Sequence, residues 1–204
     1  MSISPYQQEH LEATLIAAKH LDSLNPHQIE GLKTAACEYL LFRNDVDAFL
    51  NTYFTSICTQ QCFQSNISAC CSREGIITFF GDIVINALFS SPADINILIR
   101  ALQTPNVGLK CIYLGPQGCL WRIKPIVCQM FLCDTAMHQI FSRNPSVESA
   151  WKAMKNREKH FTWPDKKILF DDVETFFINA GYDSSLMYLH HSPGLLFVKK
   201  RAGL

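Results

Sequence analysis

The stretch CTQQCFQSNISACC, residues 58–71, holds four cysteines, and a second stretch, CIYLGPQGCLWRIKPIVCQMFLC, residues 111–133, holds four more. Cysteines that only pack a core follow the period of a helix or strand and are scattered among aliphatic residues. These eight crowd into two short windows instead, which predicts that they bind metal. The predicted ligands are Cys58, Cys62, Cys70, Cys71, Cys111, Cys119, Cys128 and Cys133.

The spacing within the first stretch restricts how its cysteines bind. Cys58 and Cys62 are four residues apart, so at the end of a helix they share one face and suit a single tetrahedral ion. Adjacent side chains such as Cys70 and Cys71 diverge, which favours sharing them between two metals or between two irons of one cluster. Neither stretch has the CxxC pairs of a zinc ribbon. The spacing therefore predicts metal and leaves zinc, iron and an iron–sulfur cluster open.

The second stretch predicts a β-hairpin. A Gly/Pro turn at 115–118 separates two β-favouring runs and holds Cys111 and Cys119 across the turn. The loop that follows brings in Cys128 and Cys133, in the manner of a metal knuckle. Along the sequence, the cysteines thus form two groups of four, one in each stretch.

The order of these motifs resembles the YkgJ-type cysteine-cluster family, which is described as a zinc- or iron-chelating domain. The resemblance covers residues 58–133 and rests on the C-x3-C-x7-CC array, the Cys111-Ile-Tyr-Leu stretch, Gly118-Cys119-Leu-Trp, and Pro125-x2-Cys128-x-Met-Phe. Flagellin lysine-N-methylases carry a similar array. The resemblance implies a zinc or iron centre and adds a methyl-transferring enzyme to the candidate functions.

The match departs from the family pattern in three ways. Lys124 stands where the family has an arginine before the proline, and Gln129 stands where it has an arginine after the cysteine. The spacings of the first array are also looser. The two family arginines would serve a substrate or the charge of a cluster, so these two positions need a structural explanation.

Outside the cysteine stretches the sequence is predominantly helical in pattern. Apolar periodicity and capping signals predict helices over 7–24, 26–58 with an interruption near Asn44-Asp45, 73–89, 92–103, 135–143, 146–159 and 171–180. Residues 186–198 are compatible with a strand or an extended strap. The predicted fold class is mainly α: a single helical domain, residues 1–204, with a small β-hairpin and Cys-rich metal-binding loops. It comprises an N-terminal helical hairpin (7–57), a cysteine-cluster core (58–133) and a C-terminal helical region (134–204).

Composition excludes several classes of function. The 204 residues carry 18 Lys+Arg and 18 Asp+Glu, so the chain lacks the basic surface that nucleic acid or an anionic membrane demands. The most apolar run, 76–89, is too short to span a bilayer and contains Asp82 and Asn86, so we expect a buried helix.

The N-terminus has neither the basic nor the apolar part of a secretory signal, which predicts a cytoplasmic protein. Thiols stay reduced there, and nine is an odd number of cysteines, so metal binding is favoured over disulfides.

Several other residues have two plausible roles. Cys37, next to Ala35 and Ala36, is predicted to be a packed core thiol. Four cations near the cysteines are either donors to thiolates or ordinary surface charges. They are Arg73, Lys110, Arg122 and Lys124.

Carboxylates and histidines near the cysteines or the C-terminus are weaker ligand candidates. Glu74 and Asp82 flank the first stretch, and each is a candidate ligand or acid–base group. The alternatives are a helix N-terminal charge for Glu74 and a buried, paired Asp82. His190 and His191 are a candidate ligand pair, although adjacent side chains are expected to diverge. The remaining histidines considered are isolated: His20, His138 and His160.

These observations favour a bacterial-type intracellular metal-binding protein with one or two zinc or iron centres. The first alternative is an iron–sulfur cluster protein with an electron-transfer or methyltransferase-like role. A thiol-based sensor or metal chaperone is a third class. The predicted partner is the metal ion itself. The sequence indicates no catalytic residue, substrate or protein partner.

Overall fold

The computed structural model describes residues 2–73 and 77–204, and within them the chain is mainly helical with one small antiparallel hairpin, as predicted. In chain order the elements are α1 (Pro5–Ser23), α2 (Pro26–Ala35), α3 (Cys37–Phe54), a π-helix (Thr55–Phe63), α4 (Phe80–Phe89), α5 (Pro92–Gln103), β1 (Leu114–Gly115), β2 (Gly118–Cys119), α6 (Ile126–Gln129), α7 (Asp134–Phe141), α8 (Pro145–Thr162), α9 (Leu169–Asn179), α10 (Tyr188–His191) and α11 (Pro193–Arg201).

The second helix breaks at Ala36 and not near Asn44-Asp45, as the sequence had suggested. Asn44 and Asp45 lie on the solvent face in the middle of α3, and exposed polar side chains do not interrupt a helix. Ala36 itself is buried, and this turn leaves the next residue, Cys37, exposed. The prediction that Cys37 is a packed core thiol is therefore wrong.

The helix predicted over 73–89 begins only at Phe80. Arg73 is not helical, because its backbone N–H donates to the Leu109 carbonyl at 2.9 Å and so joins an extended pairing with the chain before the hairpin. The run Ile77–Phe79 is also outside the helix. The candidate carboxylate Glu74 lies outside the described residues.

Residues 186–198 form two short helices and neither a strand nor a strap. The carboxylate of Glu174 accepts the backbone N–H groups of Tyr188 and Leu189 at 3.3 and 2.9 Å, which satisfies the start of α10. Pro193 then occupies the first position of α11, where its missing N–H costs nothing. A long-range cap from α9 decides this segment, and no local pattern encodes it.

Two hydrophobic clusters form the core, and each includes or contacts some of the cysteines. The first cluster joins α1, α4, α5 and α9, and includes buried Cys111 with Cys71 packed against it. The second joins α3, α7 and α8 around Phe49 and Trp151, and Cys133 packs against it. In the described part of the chain, no helix is both long and apolar enough to cross a membrane.

Candidate metal centre

Backbone pairing brings Cys71 next to Cys111, although the two residues are far apart in the chain. The Cys111 backbone N–H donates to the Cys71 carbonyl at 3.0 Å, and Ser72 pairs with Lys110 in an antiparallel bridge. The pairing of Arg73 with Leu109 continues this ladder. This ladder places Cys71 beside the residues that lead into the hairpin.

The hairpin carries Cys119 in its second strand, whereas Cys111 lies just before the first strand. In its register Leu114 lies opposite Cys119, and the Leu120 N–H donates to the Tyr113 carbonyl at 2.8 Å. The Tyr113 backbone N–H also donates to Cys111 Sγ at 3.4 Å. Burial raises the pKa of the Cys111 thiol to about 11, and this N–H opposes that shift because it stabilises a thiolate. A Trp121 N–H acts in the same way on Cys119.

Cys128 joins these residues through α6. Burial, together with repulsion from the nearby sulfurs of Cys119 and Cys111, raises the pKa of Cys128 to about 12. The same kind of repulsion connects Cys71 with these three thiols. We define the inner group as Cys71, Cys111, Cys119 and Cys128.

The other four of the eight predicted ligands form a second set, the outer group: Cys58, Cys62, Cys70 and Cys133. The pKa of Cys58 is raised to about 11. Desolvation is the largest cause, and repulsion from Cys70, Cys133 and Cys62 contributes less. Cys58 and Cys62 lie on the π-helix that continues α3. The loop after it folds back, so that the Ala69 N–H donates to Cys62 Sγ at 3.4 Å.

The grouping in space differs from the grouping along the chain. Cys71 lies with the hairpin cysteines, and Cys133 lies with the π-helix cysteines. The exchange occurs at the adjacent pair Cys70-Cys71, whose side chains the sequence predicts to diverge but whose thiols meet in a hydrogen bond. The Cys70 thiol is hydrogen-bonded to Cys71, which lowers the pKa of Cys71 and raises that of Cys70. This pair therefore connects the two groups.

The eight sulfurs are close to one another but are not gathered into sets of three or four at coordination distances. Thiolates on one tetrahedral zinc lie about 3.8 Å apart, but no three cysteines of the described residues have sulfurs within 4.8 Å of one another. Metal binding would require the thiol side chains to rotate inward from their positions as free thiols. The donor set is chemically suitable, but the centre is not preformed.

The cations near the cysteines divide into different roles. The Lys124 ammonium is close enough to lower the pKa values of Cys58, Cys70 and Cys119, so it faces both groups. Lys110 instead donates to the carbonyls of Ile67 and Ser68, and so holds the loop between the first cysteines.

The other two cations are placed as follows. Exposed Arg122 lies near Asp94, at the start of α5. Arg73 contributes its backbone to the pairing with Leu109 described above.

A buried polar network that sequence analysis missed supports α6. Arg43 of α3 donates to the side chain of Gln129, the hydroxyl of Tyr39 and the carbonyl of Lys124. Gln129 in turn donates to the Arg43 carbonyl at 3.1 Å and to Asp47 at 2.6 Å. Gln129, one of the departures from the family pattern, thus receives an arginine that comes from α3. An arginine on the largely apolar buried face of α3 is the signal that would have revealed it.

Asp82 is the buried, paired carboxylate that the sequence offered as one alternative. Its two oxygens accept the N–H groups of Phe79 and Ile126 at 3.2 and 3.0 Å, and burial raises its pKa to about 6. One turn later on α4, Asn86 accepts the Ile123 N–H at 2.9 Å. The two polar residues that interrupt the apolar run therefore hold the segment that leads to Cys128.

A cavity of about 460 Å³ opens beside this segment. Its walls include the cationic residues Arg43, Arg122 and Lys124, together with the acidic Asp47 and the apolar Phe89. Because Lys124 faces both this cavity and the cysteine groups, the cavity reaches the edge of the candidate centre.

The histidine pair does not diverge as expected. His190 Nδ1 and His191 Nε2 both contact Oδ1 of Asp183, at 2.8 and 2.9 Å. In the contacts described above, neither histidine touches a cysteine of the inner or the outer group. His138 and His160 are exposed, and His20 is buried among aromatic rings of α9.

No family model, curated protein or solved structure matches this chain. The resemblance to the cysteine-cluster family therefore stays a prediction that rests on the motifs alone.

Proposed function

We propose that this protein binds metal through its eight grouped cysteines, at two centres formed by the inner and outer groups. The observation that carries the proposal is that the fold gathers cysteines from separate segments: the Cys111 N–H donates to the Cys71 carbonyl at 3.0 Å. Electrostatic repulsion between thiols of different segments agrees with this proximity. Bringing many thiols together without a metal is unfavourable once more than one of them ionises, because like charges repel. A divalent cation reverses the sign of that interaction.

Backbone hydrogen bonds to sulfur support the same conclusion. N–H groups of Tyr113 and Ala69 donate to the sulfurs of Cys111 and Cys62, one in each group. Such donors stabilise thiolates and orient them, as the outer-shell partners of metal ligands do. Eight thiolates around two divalent ions would keep a net charge of about −4, and Lys124 is placed to offset part of it.

Zinc is the metal favoured for a closed four-thiolate site, where it would act structurally. The test is anaerobic purification followed by elemental analysis and a visible spectrum of the same sample. Two zinc ions per chain in a colourless solution are expected. A metal-free protein that takes up no zinc would contradict the proposal.

An iron–sulfur protein with an electron-transfer or methyltransferase-like role is the second candidate. The observation that favours it is the cavity bordered by Lys124, because an open approach to the centre suits a reactive cluster more than a structural ion. A brown solution with stoichiometric iron and sulfide would support this candidate and exclude structural zinc. Substrate identity would then be sought among small anions, which the arginine- and lysine-lined wall favours.

A further inference from the structure

We propose that Asp183, His190 and His191 form a third metal site, which takes a single divalent cation of the zinc, cobalt or nickel type. Among the described residues, these three are the one set of cysteine, histidine or carboxylate side chains whose ligand atoms all lie within 4.8 Å of one another. This site differs in donor chemistry and in position from the cysteine groups, so it does not depend on the function proposed above.

The two imidazoles converge because they use different ring nitrogens. On a helix, adjacent side chains point about 100° apart, and the ring planes of His190 and His191 are nearly perpendicular. His190 presents its nearer nitrogen, Nδ1, and His191 its farther nitrogen, Nε2. The different reach of the two atoms compensates for the divergence of the side chains, so both nitrogens meet the same carboxylate oxygen.

Buried hydrogen bonds fix the elements that carry the three ligands. Fully buried Glu174 caps α10 through the N–H groups of Tyr188 and Leu189. On the other side, buried Ser184 orders the loop that carries Asp183: its carbonyl accepts the Met187 N–H at 2.9 Å. Ligands held by a rigid outer layer bind metal better than ligands on free side chains.

The distances and exposure suit an exchangeable ion. Ligand atoms around a tetrahedral zinc lie about 3.4 Å apart, so separations of 2.8 and 2.9 Å need to open by only about half an ångström. Each imidazole would then direct a lone pair at the ion and keep its proton on the other nitrogen. The side chains are 36–63% exposed, which leaves the remaining coordination positions to water. Two imidazoles and one carboxylate with open positions are typical of catalytic or exchangeable sites.

The experiment compares zinc binding by three forms of the untagged full-length protein, each first equilibrated so that its cysteines are in the same metal-loaded state. They are the wild type, the double variant His190→Ala/His191→Ala, and a matched control with two exposed histidines removed elsewhere, His27→Ala/His138→Ala. Isothermal titration with Zn²⁺ gives the number of ions and the dissociation constant.

We expect the wild type to bind one ion more than the His190→Ala/His191→Ala variant, and the control to behave as the wild type. Asp183→Asn should weaken this ion at least about tenfold, since even the loss of an outer-shell partner costs about 10- to 100-fold. Zinc should also shift the imidazole NMR signals of His190 and His191. Equal zinc binding by the wild type and the histidine variant, or equal loss in the control, would overturn the third site. Neither result would bear on the proposed cysteine centres, because all forms are compared with their cysteines in the same metal-loaded state.

Discussion

The Ile126 backbone N–H donates to Oδ1 of Asp82 at 3.0 Å, and this one bond joins the buried helix α4 to the first turn of α6. Asp82 also accepts the Phe79 N–H through its other oxygen. The carboxylate thus caps two helices at once, and α6 carries Cys128. A core residue and a candidate metal ligand are in this way linked through a single side chain.

Replacing Asp82 with alanine should weaken both the fold and the inner group. Two buried N–H groups would lose their acceptor, which is expected to lower the free energy of unfolding by about 2–4 kcal/mol. Urea denaturation measures this loss, and elemental analysis should show reduced metal content. Asp94→Ala is the matched control, because Asp94 caps the exposed start of α5 and its loss should cost only about 1 kcal/mol. A fully stable, fully loaded Asp82→Ala protein would refute this role.

The spatial grouping of the cysteines makes a prediction that the order along the chain does not. Cys128 and Cys133 belong to one group by sequence and to two groups in the structure. The double variant Cys128→Ser/Cys133→Ser should therefore lose both metal centres, whereas a grouping by sequence predicts the loss of one.

Metal content per folded chain decides between the two groupings. Cys111→Ser/Cys128→Ser should lose one centre, because both residues are in the inner group. Cys37→Ser, at an exposed cysteine outside both groups, should lose none. Retention of one centre by Cys128→Ser/Cys133→Ser would restore the sequence grouping.

An arginine, which the resembled family pattern has at the position of Gln129, would not fit there. Gln129 is buried and already receives the guanidinium of Arg43, so Gln129→Arg would place two cations together without water. We expect a loss of at least about 3 kcal/mol in the free energy of unfolding. Lys124→Arg, at the exposed family position, should change stability by less than about 0.5 kcal/mol. Thermal or urea denaturation of the pair tests this, and equal stabilities would contradict the buried network.

Glu174 should make stability depend on pH. Burial raises the pKa of Glu174 from 4.5 to about 7. Between these pH values, Glu174 therefore keeps its proton in the folded protein and releases it in the unfolded chain. This contribution is fully present below pH 4.5 and is lost as the pH rises through about 7.

The corresponding measurement compares the wild type with Glu174→Gln, which cannot ionise. Between pH 4.5 and pH 8, the wild type should lose about 3 kcal/mol of unfolding free energy relative to the variant. Glu12→Gln, at an exposed position of α1, is the control and should leave the pH profile unchanged. A pH-independent difference between wild type and Glu174→Gln would show that Glu174 keeps an ordinary pKa.

Local sequence signals were sufficient for most of the helices and for the hairpin. Caps such as Asn25 and Ser91, each followed by proline, mark where α2 and α5 begin, and the Gly/Pro turn marks the hairpin. These features depend on neighbours within a few residues. The predicted helix at Arg73 and the predicted strand or strap at 186–198 were wrong. The hydrogen-bond partners that decide these segments, Leu109 and Glu174, lie far away in the chain.

The sequence by itself determined that eight cysteines crowd into two short stretches, because this follows from their positions along the chain. Only the tertiary structure decided that Cys71 lies with the hairpin and Cys133 with the π-helix. It also decided that Gln129 meets Arg43 and that two neighbouring histidines meet Asp183. The physical reason is the same in each case: these contacts depend on how separate helices and loops pack, and packing brings together residues whose separation along the chain carries no signal.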